Sequence, residues 1–317
     1  MNVIDDGEIM DQANSVIQWL LKGDPAIRWQ TLRDLTNSNQ REIQREQERI
    51  PLEGWGARLL ALQDQSGKWA NGIYSPKWTS TTYTMLLLRR IGVPPKHPPA
   101  MKACERLLDS GFYHDGGINY FGSLKHSETC VTGMILSILA YFHHPDERIH
   151  LLTNYLLDQQ LPDGGWNCQS YNGATHSSFH TTISVLEGLR EYEKFEPKNT
   201  DVIRTAQQKG REFLLIHRLF KSHRTGKIVN PAFTRFSFPP RWRYDILRAL
   251  DYFQECAAAK DVRIQDAIDL LIKKRGKDGC WNLQNRHPGR TFFEMEQVGA
   301  PSRWNTLRAL RVLKWWK

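Results

Sequence analysis

The 317-residue chain has no CxxC pair, no dense run of Lys or Arg, and no apolar stretch approaching the roughly 20 residues that a membrane span requires. Its five cysteines, Cys104, Cys130, Cys168, Cys256 and Cys280, form an odd set without ribbon spacing. That argues against a disulfide framework and a zinc ribbon, and fits reduced thiols in a cytoplasm. The opening MNVIDDGEIMDQ is acidic and lacks an apolar core, so it does not read as a signal peptide. A soluble, cytoplasmic protein is the expectation. The net charge of +9 is spread along the chain, and no RNP, zinc-finger or basic-zipper signature accompanies it, so nucleic acid is not an expected partner. The same charge is compatible with peripheral association with an acidic membrane surface. No set of strands is legible.

What the chain does have is a repeat. The segments AIRWQTLRDL, PKWTSTTYTMLLLRRI, HSETCVTGMILSILAYF, SSFHTTISVLEGLREY, RWRYDILRALDYF and SRWNTLRALRVLKWW share an aromatic or polar opening followed by Leu-rich helical spacing. With Trp29, Thr79, Cys130, His180, Trp242 and Trp304 as markers, the intervals are 50, 51, 50, 62 and 62 residues. Five second helical patterns lie between them: GWGARLLALQ, AMKACERLLDSG, RIHLLTNYLLDQQ, AQQKGREFLLIHR and IQDAIDLLIKKRG. Most end in a glycine-containing turn such as LPDGGWNC or KDGCWN, where glycine relieves the positive φ of a helix stop. Two helices per unit in six units predict an all-α fold, either an open solenoid or a closed ring. The terminal LRVLKWWK is too apolar for a solenoid cap and favours closure. The expected fold is a single α6/α6 toroid over residues 1–317, six inner helices within six outer ones. Residues 1–24 are read as an N-terminal extension and 195–240 as an insertion-containing region. The long loops NPAFTRFSFPPRW and HPGRTFFEMEQVG are expected to cover one mouth.

These residues resemble a known superfamily. QQLPDGGWNC is similar to the repeat motif of squalene cyclases, and the six-unit pattern is similar to the toroid shared by terpenoid cyclases and protein prenyltransferase β subunits. A prenyltransferase β subunit opens one inner helix with Asp-x-Cys and the next with a His inside an aromatic-His-Thr segment. Here Glu128, Cys130 and His180 stand at the matching places, so the resemblance implies a Zn2+ held by those three. It also implies a diphosphate-binding role for Lys125, three positions before Glu128. The chain departs from the family at Glu128 (Asp in the family), Gly122 (Arg), Val131 (Tyr) and Ser80 (His). No α subunit is evident.

Read from chemistry alone, Glu128 and Cys130 lie about 200° apart on a helix, so they share an ion only where the chain is not yet helical. Ser127, and Ser177 or Ser178, are candidate N-caps, which puts Glu128, Cys130 and His180 at starts of inner helices on one rim. Glu, Cys and His with an open fourth position is a catalytic zinc pattern, able to hold an incoming thiol as thiolate for transfer. The alternative reading treats Glu128 as a carboxylic acid kept protonated in an apolar cavity, cyclising an isoprenoid without metal; Asp245, between Arg241 and Arg248, is the other candidate acid and also reads as an ion-pair partner. A third reading is a non-catalytic toroid that binds a lipid or a protein. The expected ligand is a hydrophobic, isoprenoid-like molecule in a central cavity, lined in part by Trp78, Tyr83, Trp166, Phe179, Trp242 and Trp304; some of these eleven-tryptophan markers face the core instead. Glu294, Glu296, His287 and Arg290 fall in a loop at the assigned mouth.

Overall fold

A computed structural model describes residues 6–198 and 200–317, the side chains of residues 6–13 excepted. Its α-helices are α1 (Asp6–Leu21), α2 (Pro25–Leu35), α3 (Gln40–Arg49), α4 (Gly54–Leu60), α5 (Thr81–Ile91), α6 (Pro98–Gly111), α7 (Thr129–Tyr141), α8 (Arg148–Asp158), α9 (Phe179–Phe195), α10 (Asp201–Ile216), α11 (Ile246–Glu255), α12 (Gln265–Lys273) and α13 (Arg303–Trp316). Among the described residues, β-pairing is limited to isolated bridges.

The helices sort into two rings by the polarity of their sides. Helix α7, TCVTGMILSILAY, is apolar around its whole circumference and buries 11 of its 13 residues, as an inner helix must. Helix α3, QREIQREQER, buries none and lies on the outside. The inner ring is α2, α5, α7, α9, α11 and α13, the six segments that the repeat marked. The outer helices α4, α6, α8, α10 and α12 are the five second patterns. The sixth outer helix is α1. It lies in the segment read as an extension, of which residues 1–5 are outside the described part. Helix α10 occupies much of the 195–240 region, where position 199 is likewise outside it. The ring closes where Arg311 of α13 donates to Gln30 of α2 at 3.0 Å and Arg303 donates to the carbonyl of Trp19 in α1 at 3.2 Å.

One turn, used four times, sets the pitch from outer to inner helix. Gly67, Gly116, Gly164 and Gly279 have φ between 80° and 94°, a region an L side chain rarely adopts. Two residues later, the N–H of Trp69, Ile118, Trp166 or Trp281 donates to the hydroxyl of Thr81, Thr132, Thr182 or Thr306 in the coming inner helix, at 2.9–3.1 Å. In the three units with Trp, the indole N–H donates at 2.7 Å to the carbonyl ten residues back: Leu59, Leu156 and Leu271, near the ends of the outer helices. Gln63 and Gln160 reach onward to carbonyls of the next outer helix, Pro99 and Ala206. Trp166 is therefore fully buried scaffold between α8 and α9, not part of a ligand-binding wall.

Toward the ends of the inner helices the ring is filled with charge. Glu187 of α9 accepts from Arg89 and Arg90 of α5 and from Arg248 of α11, at 2.7–3.1 Å. Asp251 of α11 pairs with Arg308 and Arg311 of α13, at 3.1 and 2.5 Å. Glu191 and Glu255 join Arg190 and Arg89 or Arg311 to the same network. Burial by itself pushes Glu187 upward, but Arg248, Arg90 and Arg89 hold it well below the ordinary carboxylate range, so it stays ionised. Burial likewise opposes ionisation of Glu255, which Arg190 and Arg311 bring down to about 2.

Helices α7 and α9 approach most closely at two glycines. A Cβ on Gly188 would lie 2.6 Å from the carbonyl oxygen of Gly133, backbone that cannot yield without moving a helix. Gly188→Ala is expected to destabilise the fold by about 1–3 kcal/mol. Urea unfolding measures this; an unchanged midpoint would show that the two helices separate at no cost.

Candidate active site at the mouth of the ring

All inner helices begin on one rim, and the residues singled out in the sequence gather there. Glu128 is the N-cap of α7, in extended conformation (φ −94°, ψ 115°), and makes no side-chain cap bond. Ser127 is not the cap: its hydroxyl and N–H both bond Asp115, at 2.6 and 2.8 Å, which fixes the preceding turn. Ser178 does occupy the N-cap of α9. The Glu128 side chain thus sits at the rim with Oε2 buried and without a hydrogen-bond partner among the described residues. Burial raises its pKa above the ordinary glutamate value of 4.5, with Lys77 opposing. A carboxyl group so placed keeps its proton more readily than one in water.

The rings beside Glu128 are aromatic. Tyr74 and Tyr83 have centroids 5.3 Å apart, and both phenols feel Glu128 and Cys130. Burial drives both phenol pKa values well up, so both are neutral. Trp78 meets Tyr83 edge-on at 4.8 Å. The Lys77 ammonium is 5.9 Å from the Trp242 ring, and Trp242 packs edge-on to His180 at 5.1 Å. Lys77 therefore joins the Glu128 side of the mouth to the His180 side. Arg241 lies over Trp78 at 5.4 Å, and burial brings its pKa down to about 10. Trp78 and Arg241 have φ of 75° and 59°, left-handed values that are strained for such side chains.

The implied zinc ligands do not fit the ion. Among the described residues no group of three or more His, Cys, Asp or Glu is placed to hold a metal. His180 Nδ1 accepts the N–H of Tyr244 at 2.8 Å, which in the neutral ring leaves the proton on Nε2 and takes away the lone pair that Nε2 would give a metal. Burial, with Arg248 and Arg243 nearby, lowers the His180 pKa to about 4. Cys130 is turned toward another cysteine. Its N–H donates to Cys168 Sγ at 3.1 Å, and Thr181 donates to the same sulfur at 3.4 Å. The Cys130 thiol also bonds Cys168, which lowers the Cys168 pKa, while that pairing and burial keep the proton on Cys130.

Asp245 is not an accessible acid. It is the N-cap of α11, 1% exposed, and accepts from the Arg248 N–H at 2.8 Å and the Ser237 hydroxyl at 3.0 Å. Nor is it the ion-pair partner of Arg248, whose guanidinium reaches Glu187. Lys125 is exposed on the turn ahead of Glu128. Phe179 is packed among Phe213, Phe233 and Tyr244, at 5.1–5.3 Å. Trp304 stacks on Phe238 at 4.2 Å. Of the aromatic residues expected to line the cavity, Trp78, Tyr83 and Trp242 stand at the mouth. Glu296 caps α13 through the Arg303 N–H at 2.7 Å, and Glu294 pairs with Arg286.

The loop through residues 286–300 does cover the mouth. The Trp78 indole donates to the carbonyl of Pro288 at 2.6 Å, and Phe293 lies under the Arg58 guanidinium at 3.7 Å. Beneath the loop Trp78, Leu87, Phe238, Phe292, Phe293 and Met295 form the apolar part of a pocket whose wall also carries Arg241, Arg286, Glu294 and Glu296. Lys77, Tyr74 and Cys168 were not picked out from sequence. The only signal for them was their position in the loop that leads into an inner helix.

No family model and no curated protein matches the chain. Solved structures do. A protein from Actinoplanes is 14% identical, covers 98% of this chain and 99% of its own, and has a TM-score of 0.47. The type II terpene cyclase MstE from Scytonema, in complex with merosterolic acid A as product, is 14% identical, covers 82% of this chain and 94% of its own, and has a TM-score of 0.35. In complex with geranylgeranyl dihydroxybenzoate as substrate it covers 81% and 92%, with a TM-score of 0.34. Likeness of this size says nothing of chemistry, and the toroid is defined by the ring closure above.

The depressed His180 pKa has a sign. A histidine that is harder to protonate folded than unfolded contributes stability above its ordinary value of 6.5 and loses it as pH falls toward and through about 4. His287, also lowered to about 4, acts the same way. His180→Gln, which keeps an acceptor for Tyr244, is expected to lose stability less steeply than the parent between pH 6.5 and 4. Equal slopes in urea unfolding would place the His180 pKa near its ordinary value.

Proposed function

We propose that this protein is an acid catalyst of the isoprenoid-cyclising kind, in which Glu128 gives its proton to a carbon–carbon double bond of a hydrophobic substrate. The observation that carries the reading is the Glu128 carboxyl, desolvated, without a partner for Oε2, and set at the mouth beside aromatic rings.

The chemistry balances without a co-reactant. The Glu128 O–H bond breaks, the alkene π pair forms the new C–H bond, and a carbocation remains on the substrate. Ring closure moves the cation along the chain, a C–H bond next to the final cation breaks to form the new double bond, and its proton passes to solvent as Glu128 takes one back from solvent, so the net reaction is an isomerisation. The faces of Trp78, Tyr83 and Trp242 can stabilise passing positive charge through the ring quadrupole. The loop over Trp78 keeps out water, which would otherwise trap the cation as an alcohol. Zinc-dependent transfer to a thiol is not part of this proposal, because His180 Nδ1 is taken by the Tyr244 N–H and the Cys130 thiol is paired with Cys168. A second reading, binding of a lipid without catalysis, is favoured by the apolar part of the pocket under the loop, where a ligand would be enclosed yet separated from Glu128 by Trp78 and Tyr83.

The test is incubation of the metal-chelated protein with linear isoprenoids, geranylgeranyl dihydroxybenzoate and squalene among them, followed by mass and chromatographic analysis. A cyclised isomer of unchanged mass is expected, and Glu128→Gln should lower its rate by at least about 100-fold. Ligand bound and returned unchanged supports the lipid binder. Turnover that survives in Glu128→Gln, or stops on chelation, refutes the assignment of the acid.

A further inference from the structure

In the centre of the ring, between the charged ends of the inner helices and the Phe238–Trp304 stack behind the mouth, a polar cavity of about 100 Å³ lies among the buried ion pairs. Its wall is unbalanced in two respects. The first is charge. Six guanidiniums, on Arg89, Arg90, Arg190, Arg308 and Arg311 of the wall and on Arg248 behind it, share five carboxylates, on Glu187, Glu191, Asp251 and Glu255 of the wall and on Asp34 behind it. The more exposed Arg33 and Lys194, also on the wall, pair with two of those same carboxylates and add to the positive side.

The second is hydrogen bonding. Five buried donor atoms on residues lining the cavity have no partner among the described residues: Trp29 Nε1, Trp304 Nε1, Arg89 Nε, Arg190 Nε and Arg308 Nη2. No acceptor atom on a described lining side chain is in that state. These side chains are deeply buried, Arg308 to 2% exposure and Trp304 to 1%. Donors left over in so dry a place are costly, and so is uncompensated positive charge.

We propose that this cavity binds a small oxyanion of the phosphate or sulfate class, at a site that shares no lining residue with Glu128 and its rings and differs from them in chemistry. Water answers neither imbalance fully, since each molecule brings two hydrogens that need acceptors and carries no charge. An oxyanion supplies several acceptor oxygens at once and neutralises the surplus, with charge-assisted bonds from guanidiniums as its main hold. The volume suits a single inorganic anion and excludes a nucleotide. Arg33 and Lys194 mark the way in.

Isothermal titration calorimetry of the full chain with inorganic phosphate, sulfate or chloride, at matched ionic strength, tests this. Saturable one-to-one binding of phosphate or sulfate is expected, with chloride weaker. Arg89→Met should weaken it by about tenfold or more, while leaving Glu187 paired with Arg90 and Arg248 and Glu191 with Arg190. Glu255→Gln enlarges the positive surplus and should tighten binding, an effect that structural damage would not give. The proposal fails if neither oxyanion gives saturable heat, if chloride matches them, or if Arg89→Met binds as the parent does. Should Arg89→Met not fold, unchanged or weaker binding in Glu255→Gln overturns it.

Discussion

Taking charge out of water carries a penalty, and the inside of this ring is organised by how that penalty is met. Six inner helices close around a centre into which five of them, all but the uncharged α7, send Arg, Glu or Asp side chains, and these are paired largely between helices. Glu187 of α9 requires arginines from α5 and α11, and Asp251 of α11 requires two from α13. Removing one partner of such a group leaves a buried charge uncompensated, which is far more damaging than the pair is stabilising. The network therefore specifies which helices are neighbours more than it adds to net stability.

The two ends of the ring differ as a result. The end where the inner helices finish is polar and tied up in ion pairs. The end where they start is aromatic, covered by the loop through residues 286–300, and holds Glu128 without a strong counter-charge. Among the described residues, Lys77 is the cation that opposes the rise in its pKa. The same desolvation that ionised Glu187 overcomes with three arginines is, at Glu128, left to favour the neutral acid. The pKa values of two glutamates in one ring are thus moved in opposite directions by the number of guanidiniums beside them.

Much of the fold was legible because it repeats. Helical spacing, glycine turns and the recurring aromatic openings located every inner helix and five of the six outer ones. Helix α1 was missed as the sixth because no glycine-tryptophan turn precedes α2; its place in the ring follows from contacts with α13, at the other end of the chain. Partners across the ring were not legible for the same reason. Spacing shows which residues share a helix, so Asp245 and Arg248 read as a pair, whereas Arg248 spans to Glu187, 61 residues away in sequence. The rim position of Glu128, Cys130 and His180 followed from repeat register. Their failure to converge did not, since it depends on Cys168 facing Cys130 and on the Tyr244 N–H reaching His180. Trp166 was read as lining because aromatics serve pockets and cores alike; its indole bond to the Leu156 carbonyl decides for the core.

The central claim is that its surroundings raise the Glu128 pKa, so that it keeps its proton more readily than a solvated glutamate. Carbon-13 NMR of the Glu128 carboxyl across a pH titration, assigned by difference from Glu128→Gln, measures that pKa directly. The account predicts a midpoint above the ordinary 4.5 of a solvated glutamate. A midpoint at or below that value would mean a carboxylate stabilised by Lys77, with no proton to donate, and would contradict it.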